Sequence, residues 1–106
     1  MYALIYYVPV SDHERVKQSI FDSGAGKTDH YEQCCWQVKG SGQFKALQGS
    51  QPAIGEIDKL QELSEYKVEM ICADNKIKAV IKTLLSVHPY EQPAYYCFKV
   101  QLYDDL

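Results

Sequence analysis

The stretch YKVEMICADNKIKAVIKTLLSV, residues 66–87, changes its hydrophobic period once, and that change decides the fold. Over residues 66–73 apolar and polar side chains alternate, which predicts a strand with one buried face. After Asp74 five aliphatic side chains recur at helical spacing, namely Ile77, Val80, Ile81, Leu84 and Leu85. The stretch therefore predicts a strand followed by a helix over residues 75–87, with Asp74 as its cap.

The first part of the chain repeats this order. Residues 2–10, YALIYYVPV, are rich in strand-forming side chains. Ser11 and Glu14 have the spacing of a capping box, so a helix is expected to begin there. Its apolar stripe consists of Val16, Ile20 and Phe21, and Gly24 is expected to end it.

Two further segments complete the pattern. QCCWQVKG (33–40) and AYYCFKVQL (94–102) both favour strands. The element order β-α-β-β-α-β predicts an α+β, ferredoxin-like fold: a four-stranded antiparallel sheet with both helices on one face. A chain of 106 residues holds one core, so one domain over residues 1–106 is expected.

Composition excludes several classes of function. The formal net charge is −3 and no cluster of basic residues occurs, which argues against nucleic-acid binding. No apolar run approaches the roughly 20 residues of a membrane span, and the N-terminus does not resemble a signal peptide. Four cysteines without CxxC spacing are expected to be free thiols. These features predict a cytoplasmic protein.

The sheet is expected to have one face that the helices do not cover. In the last strand Tyr96, Phe98, Val100 and Leu102 share a side and are expected to meet the helices. The opposite side of the sheet then remains rich in tyrosine, cysteine and isoleucine, too apolar to stay in water. We therefore expect a homo-oligomer that forms through the sheets.

Several short motifs point to a known family. They are Gly24-Ala25-Gly26 with Tyr31 and Cys34, Gly40-x-Gly42-x-Phe44, Gly49 with Pro52 and Gly55, Val68-Glu69, and His88-Pro89-Tyr90-Glu91-x-Pro93-Ala94-Tyr95. With them the chain resembles the small PII/CutA-like domain that occurs inserted in Nif-three-like (YqfO-type) proteins and also on its own. The His-Pro-Tyr-Glu turn is similar to one in CutA proteins. The resemblance implies a ferredoxin-like fold and a trimer.

The resemblance does not imply an enzyme. The larger Nif-three-like proteins hold a dinuclear metal centre in a separate scaffold, and that scaffold does not match any part of these residues. No cofactor is expected. The chain is predicted to be a non-enzymatic domain that binds a small ligand or a protein partner, in a regulatory or interaction role.

The stretch between the second and third predicted strands, residues 40–65, is a candidate partner loop. In the PII proteins that the chain resembles, this position carries the loop that contacts partners and responds to ligands. Here Phe44 and Ile54 are possible anchors, and Lys45 and Lys59 are its cations. The alternative is an extra hairpin that completes the sheet of a neighbouring copy.

A divalent-metal site is the second functional hypothesis. Its candidate ligands are His30, Cys35, His88 and Glu91, a set that suits copper or zinc. Their spacing matches no dedicated metal motif. The hypothesis follows from the resemblance to CutA proteins.

The motif HPYEQP, residues 88–93, is predicted to be mainly a structural corner. Pro89 ends the second helix, Tyr90 lies within the turn and Pro93 leads the chain into the last strand. His88 is expected to be protonated near the helix C-terminus or to lie against a carbonyl. The alternative is a ligand or metal pocket at the seam between copies.

Overall fold

The computed structural model describes all 106 residues and contains one antiparallel sheet and two α-helices. The strands, in the spatial order β2-β3-β1-β4, are β1 (Tyr2–Pro9), β2 (Trp36–Lys45), β3 (Leu60–Cys72) and β4 (Tyr95–Lys99). The helices are α1 (His13–Asp22) and α2 (Ile77–Val87). This confirms the predicted ferredoxin-like order. Neither helix has the length and apolarity needed to cross a membrane.

The core lies between the helices and one face of the sheet. In the antiparallel register Leu4 pairs with Met70 and Tyr6 with Val68, so these four side chains share that face. All four are buried. The helices cover them with Val16, Ile20, Phe21, Ile77, Val80 and Leu84. We call the other side of the sheet the open face.

The orientation predicted for the last strand was wrong. Tyr95 pairs with the buried Tyr6 and packs against the core, whereas Tyr96 and Phe98 lie on the open face and are 58% and 50% exposed. The strand has aromatic residues on both sides, so hydrophobic alternation could not choose between its faces. Pairing with β1 directs Tyr95 toward the core and Tyr96 toward the open face. The open face is therefore more aromatic than predicted.

The hairpin formed by β2 and β3 is longer than predicted. The two strands pair without interruption from Trp36 and Glu69 to Lys45 and Leu60. The predicted partner loop is thereby reduced to residues 46–59. Glycine-rich sequence suggested a loop, but glycine inside a strand also marks a place where another group approaches closely, and the Glu65 carboxylate lies over Gly42. At the other end, β4 stops at Lys99, before the predicted residues Val100 and Leu102.

Neither predicted helix cap forms. Ser11 donates its hydroxyl hydrogen bond to the side chain of Asp12 instead of to the helix, and α1 is preceded by one turn of 3-10 helix. Asp74 accepts hydrogen bonds from the Met1 amino group and from Nζ of Lys99, the latter at 2.7 Å. Two cations compete successfully for its carboxylate. Asp74 thus joins the ends of three strands rather than capping α2.

Neighbouring leucines of α2 provide a test of this arrangement. Leu84 is fully buried and Leu85 is 46% exposed. We expect Leu84→Ala to lower the free energy of unfolding by about 2–5 kcal/mol, because it leaves a cavity. Leu85→Ala should change it by about 0.5 kcal/mol or less, as a surface substitution does. Urea denaturation measures both, and equal losses would contradict the packing.

Candidate functional site

A cleft of about 800 Å³ opens on the sheet's open face, between the β2–β3 hairpin, the loop 46–59 and the turn that precedes β4. Four aromatic side chains line it: Tyr7, Phe44, Tyr90 and Tyr96. Two segments predicted separately, the partner loop and the HPYEQP turn, thus contribute to one cavity.

His88 fixes the turn to the sheet. Its ring is buried, and Nε2 donates to the backbone carbonyl of Tyr7 at 2.6 Å. Nδ1 accepts the backbone N–H of Tyr90 at 3.1 Å. Both nitrogens are occupied in a way that suits the neutral imidazole, and burial lowers the pKa of His88 below its usual value. His88 therefore acts as a structural clamp behind the cleft.

Tyr90 connects the turn to the hairpin. Its hydroxyl donates to Oε2 of Glu65 at 3.1 Å, and its ring packs at a tilt against Phe44 with centroids 5.9 Å apart. Burial and the Glu65 carboxylate raise the pKa of Tyr90 well above its usual value. The phenol therefore stays protonated and keeps donating to Glu65.

Glu65 is a cleft residue that the sequence analysis missed. Its carboxylate lies over Gly42 so closely that a Cβ at position 42 would be 1.7 Å from Oε1. Nothing lies within 4 Å of the corresponding point at Gly40, which borders the open cleft. The Gly-x-Gly pattern inside a strand was the available signal, since it often marks the close approach of another group.

Glu91 ties the loop 46–59 to the turn. Its Oε1 accepts the backbone N–H of Gln51 at 3.0 Å. Of the four predicted loop residues, Phe44, Lys45 and Ile54 line the cleft. Lys59 does not, and instead pairs with Glu56 at 2.7 Å. The two prolines of the motif frame this arrangement, Pro89 directly after His88 and Pro93 just before β4.

The predicted metal ligands do not assemble within one chain. No group of three or more His, Cys, Asp or Glu side chains lies close enough to share an ion. His30 is exposed in the segment that follows α1, and the Cys35 thiol is 3.8 Å from Oε1 of Gln37. His88 has given both ring nitrogens to the backbone, and Glu91 holds the loop.

The charged side chains of the cleft differ in whether they have partners within the chain. Glu65 and Glu91 each accept a hydrogen bond from the protein. Lys45 has no ion-pair partner, and Lys67 has only Glu69, with Nζ 3.9 Å from its carboxylate. Flat aromatic walls together with the unpaired Lys45 can bind a ligand that has an apolar body and an anionic group.

Relatives were found among known proteins. No protein-family model matches the chain. It is 36% identical over 94 residues to a Mycobacterium tuberculosis protein named "GTP cyclohydrolase 1 type 2 homolog", and 36% identical over 98 residues to a Bacillus subtilis protein of the same name. A solved Bacillus cereus protein related to NIF3 superposes with a TM-score of 0.80 at 28% identity over 95% of the chain. The chain is homologous to one segment of the NIF3-like proteins.

The NIF3-like match is confined to part of each relative. It covers 89% and 92% of this chain but only 25% and 26% of the Mycobacterium and Bacillus subtilis proteins, and 26% of the Bacillus cereus structure. The chain thus spans about a quarter of the length of these relatives. CutA1 from Pyrococcus horikoshii superposes with a TM-score of 0.69 at 15% identity, over 99% of this chain and 89% of that one, which shows a CutA-like fold for the NIF3-like segment.

The two glycines of β2 test the contact with Glu65. Gly42→Ala should displace the carboxylate from the Tyr90 hydroxyl and lower the free energy of unfolding by about 1 kcal/mol, the value of one hydrogen bond. Gly40→Ala meets open space and should be neutral or stabilising by about 0.5 kcal/mol. Urea denaturation compares the two, and an equally stable Gly42→Ala variant would contradict the contact.

The buried His88 should make stability depend on pH. Because its pKa is lower in the folded state, only the unfolded state takes up the proton as the pH falls through the usual value of 6.5. The contribution of His88 to the free energy of unfolding should therefore be at its full value above that pH. It should decrease below that pH, by at most about 1.4 kcal/mol per pH unit. His88→Gln should flatten the profile below about pH 6.5.

A matched control is His30→Gln, since His30 is exposed. It should leave the pH profile of urea denaturation unchanged. The buried His13, whose pKa burial also lowers, accounts for the slope that remains in the His88→Gln variant. An unaltered slope in His88→Gln would show that His88 does not stay neutral in the folded protein.

Proposed function

We propose that this chain is a non-enzymatic, regulatory binding domain that assembles as a homo-oligomer, a trimer, and recognises a small ligand in the cleft. The observation that carries the proposal is that the hairpin, the loop 46–59 and the HPYEQP turn, which are distant in sequence, are fastened together around one cavity. The proposed ligand has an apolar, planar body and an anionic group. The proposed location is the cytoplasm, where free thiols such as these are kept reduced.

The size and lining of the cleft support a small ligand. Binding sites for small molecules typically enclose about 300–1,000 Å³ and combine aromatic walls with a few oriented polar groups. The cleft has about 800 Å³, with Tyr7 and Tyr96 on the sheet side, Phe44 on the hairpin and Tyr90 on the turn. Glu65 and Glu91 keep their negative charge although each accepts a hydrogen bond, so the anionic group of the proposed ligand would lie beside Lys45, the lining cation without an ion-pair partner.

The open face supports self-association. Trp36 and Val38 of β2 join Tyr96 and Phe98 of β4 there, and all four are exposed. Two more apolar residues of β1, Ile5 and Tyr7, lie between them. β3 separates the residues of β2 from those of β1 with Lys67 and Glu69, so the open face carries two apolar patches on either side of a charged pair. Exposed apolar patches of this kind are typical of protein interfaces. The motifs shared with PII/CutA-like domains support a trimer in particular.

Native mass spectrometry of the untagged protein tests both parts of the proposal. We expect a trimer, and after incubation with a set of aromatic carboxylates and phosphates we expect one bound molecule per subunit for the compounds that fit. Gly40→Phe should weaken binding at least tenfold, because the phenylalanine ring would enter the cleft. Lys39→Phe is the matched control, since residue 39 lies on the opposite face of the same strand. Binding that survives Gly40→Phe, or no binding by any compound, would contradict the ligand proposal.

A further inference from the structure

Glu65 is a half-buried carboxylate with one oxygen that has no partner. Its Oε2 accepts a hydrogen bond from the Tyr90 hydroxyl at 3.1 Å, whereas no hydrogen bond or ion pair engages its Oε1. Lys67 lies two residues along β3 on the same face and pairs with Glu69 instead. Taking a carboxylate partly out of water is unfavourable unless a cation or hydrogen-bond donors compensate it. The chain itself offers Oε1 neither.

Open space borders this free oxygen. Oε1 lies over Gly42, so closely that it would overlap a side chain at that position. Gly40 pairs directly with Glu65, so the two residues face the same side of the sheet. Nothing lies within 4 Å of the point that a Cβ at Gly40 would occupy. A small group of a ligand can therefore enter the cleft above Gly40 and reach Oε1.

The other groups around the cleft also attract positive charge. Glu91 uses Oε1 to accept the backbone N–H of Gln51 at 3.0 Å, and its Oε2 has no partner. The faces of the four aromatic rings that line the cleft carry negative electrostatic potential, which attracts cations. A ligand that carried only an anionic group would leave both carboxylates without a counter-charge.

The unpaired cation of the cleft is distant from this oxygen. Lys45 and Gly40 both belong to β2, and roughly 16 Å of strand separates them at about 3.3 Å per residue. The register that places Gly40 opposite Glu65 therefore places Lys45 far along the hairpin from the free carboxylate oxygen. A ligand that satisfies both groups has its own opposite charges at opposite ends of its body.

We propose that the ligand of the cleft is an elongated aromatic zwitterion. Its ammonium group lies over Gly40 and donates to Oε1 of Glu65, its flat body stacks on the aromatic side chains, and its acidic group lies beside Lys45. The inference rests on the proposed function above and extends the anionic ligand by a cationic group. An ammonium has three donors and forms charge-assisted hydrogen bonds with a carboxylate, which are the strong ones.

A pair of probes of the same shape tests the ammonium. The first is a para-substituted biphenyl with an aminomethyl group at one end and a carboxylic acid at the other. The second has an ethyl group in place of the aminomethyl group, which keeps the shape and the acid but removes the positive charge. We expect isothermal titration calorimetry to show that the wild-type protein binds the amino probe at least tenfold more tightly. The methyl ester of the amino probe should bind about threefold more weakly than the acid, since it gives Lys45 no anion.

Glu65→Gln identifies the partner of the ammonium. The substitution removes the negative charge and keeps an oxygen that can accept the Tyr90 hydroxyl. It should reduce the preference for the amino probe at least tenfold and leave the affinity for the ethyl probe nearly unchanged. Glu62→Gln is the matched control, because Glu62 is an exposed residue of β3 that does not line the cleft. It should keep the wild-type preference.

The possible results are distinct. A preference for the amino probe that Glu65→Gln abolishes and Glu62→Gln retains supports the inference. Equal binding of both probes to the wild-type protein overturns the inference and leaves the proposed anionic ligand in place. A preference that survives Glu65→Gln also overturns it, since another group then holds the cation. An ester that binds as tightly as the acid overturns the zwitterion. If neither these probes nor any aromatic carboxylate or phosphate binds, the inference and the proposed ligand site fail together.

Discussion

The pairing of β1 with both of its neighbours is the constraint on which the rest of the structure depends. Antiparallel register aligns Tyr6 with Val68 on one side and with Tyr95 on the other. The register of β1 thus decides which side chains of three strands face the helices. Because β1 carries apolar side chains on both faces, one face forms the core and the other remains uncovered. The same register places Tyr7 and Tyr96 together at the cleft. Core, open face and candidate site thus follow from one alignment.

The candidate site is built by contacts between distant segments rather than by one motif. His88 attaches the turn to β1, Tyr90 connects it to Glu65 of β3, and Glu91 fastens the loop to it. Each of these side chains is used to position backbone or another side chain. The predicted structural corner also forms one wall of the cavity.

The sequence predicted the order of elements because residues 66–87 and the first helix have unambiguous periods. It could not predict which face of β4 meets the helices, since both faces carry aromatic residues and only pairing with β1 decides. The sequence placed Phe44 and Tyr90 in candidate segments but could not predict that their rings pack against each other. Glu65 escaped detection because its role depends on the missing side chain of Gly42, a contact between strands that only the register reveals.

The division of the cleft between two sequence segments has a consequence for synthesis. Most of the lining comes from residues 38–54, and residues 90–96 complete it beside Tyr7, Glu65 and Lys67. Residues 90–96 are the last of these to leave the ribosome. Until the later segment emerges, the hairpin has no Tyr90 to hold Glu65 and no Glu91 to hold the loop. A nascent chain thus has a hairpin before it has a complete cleft. A ligand that binds in the cleft would therefore stabilise only chains whose last strand has joined the sheet.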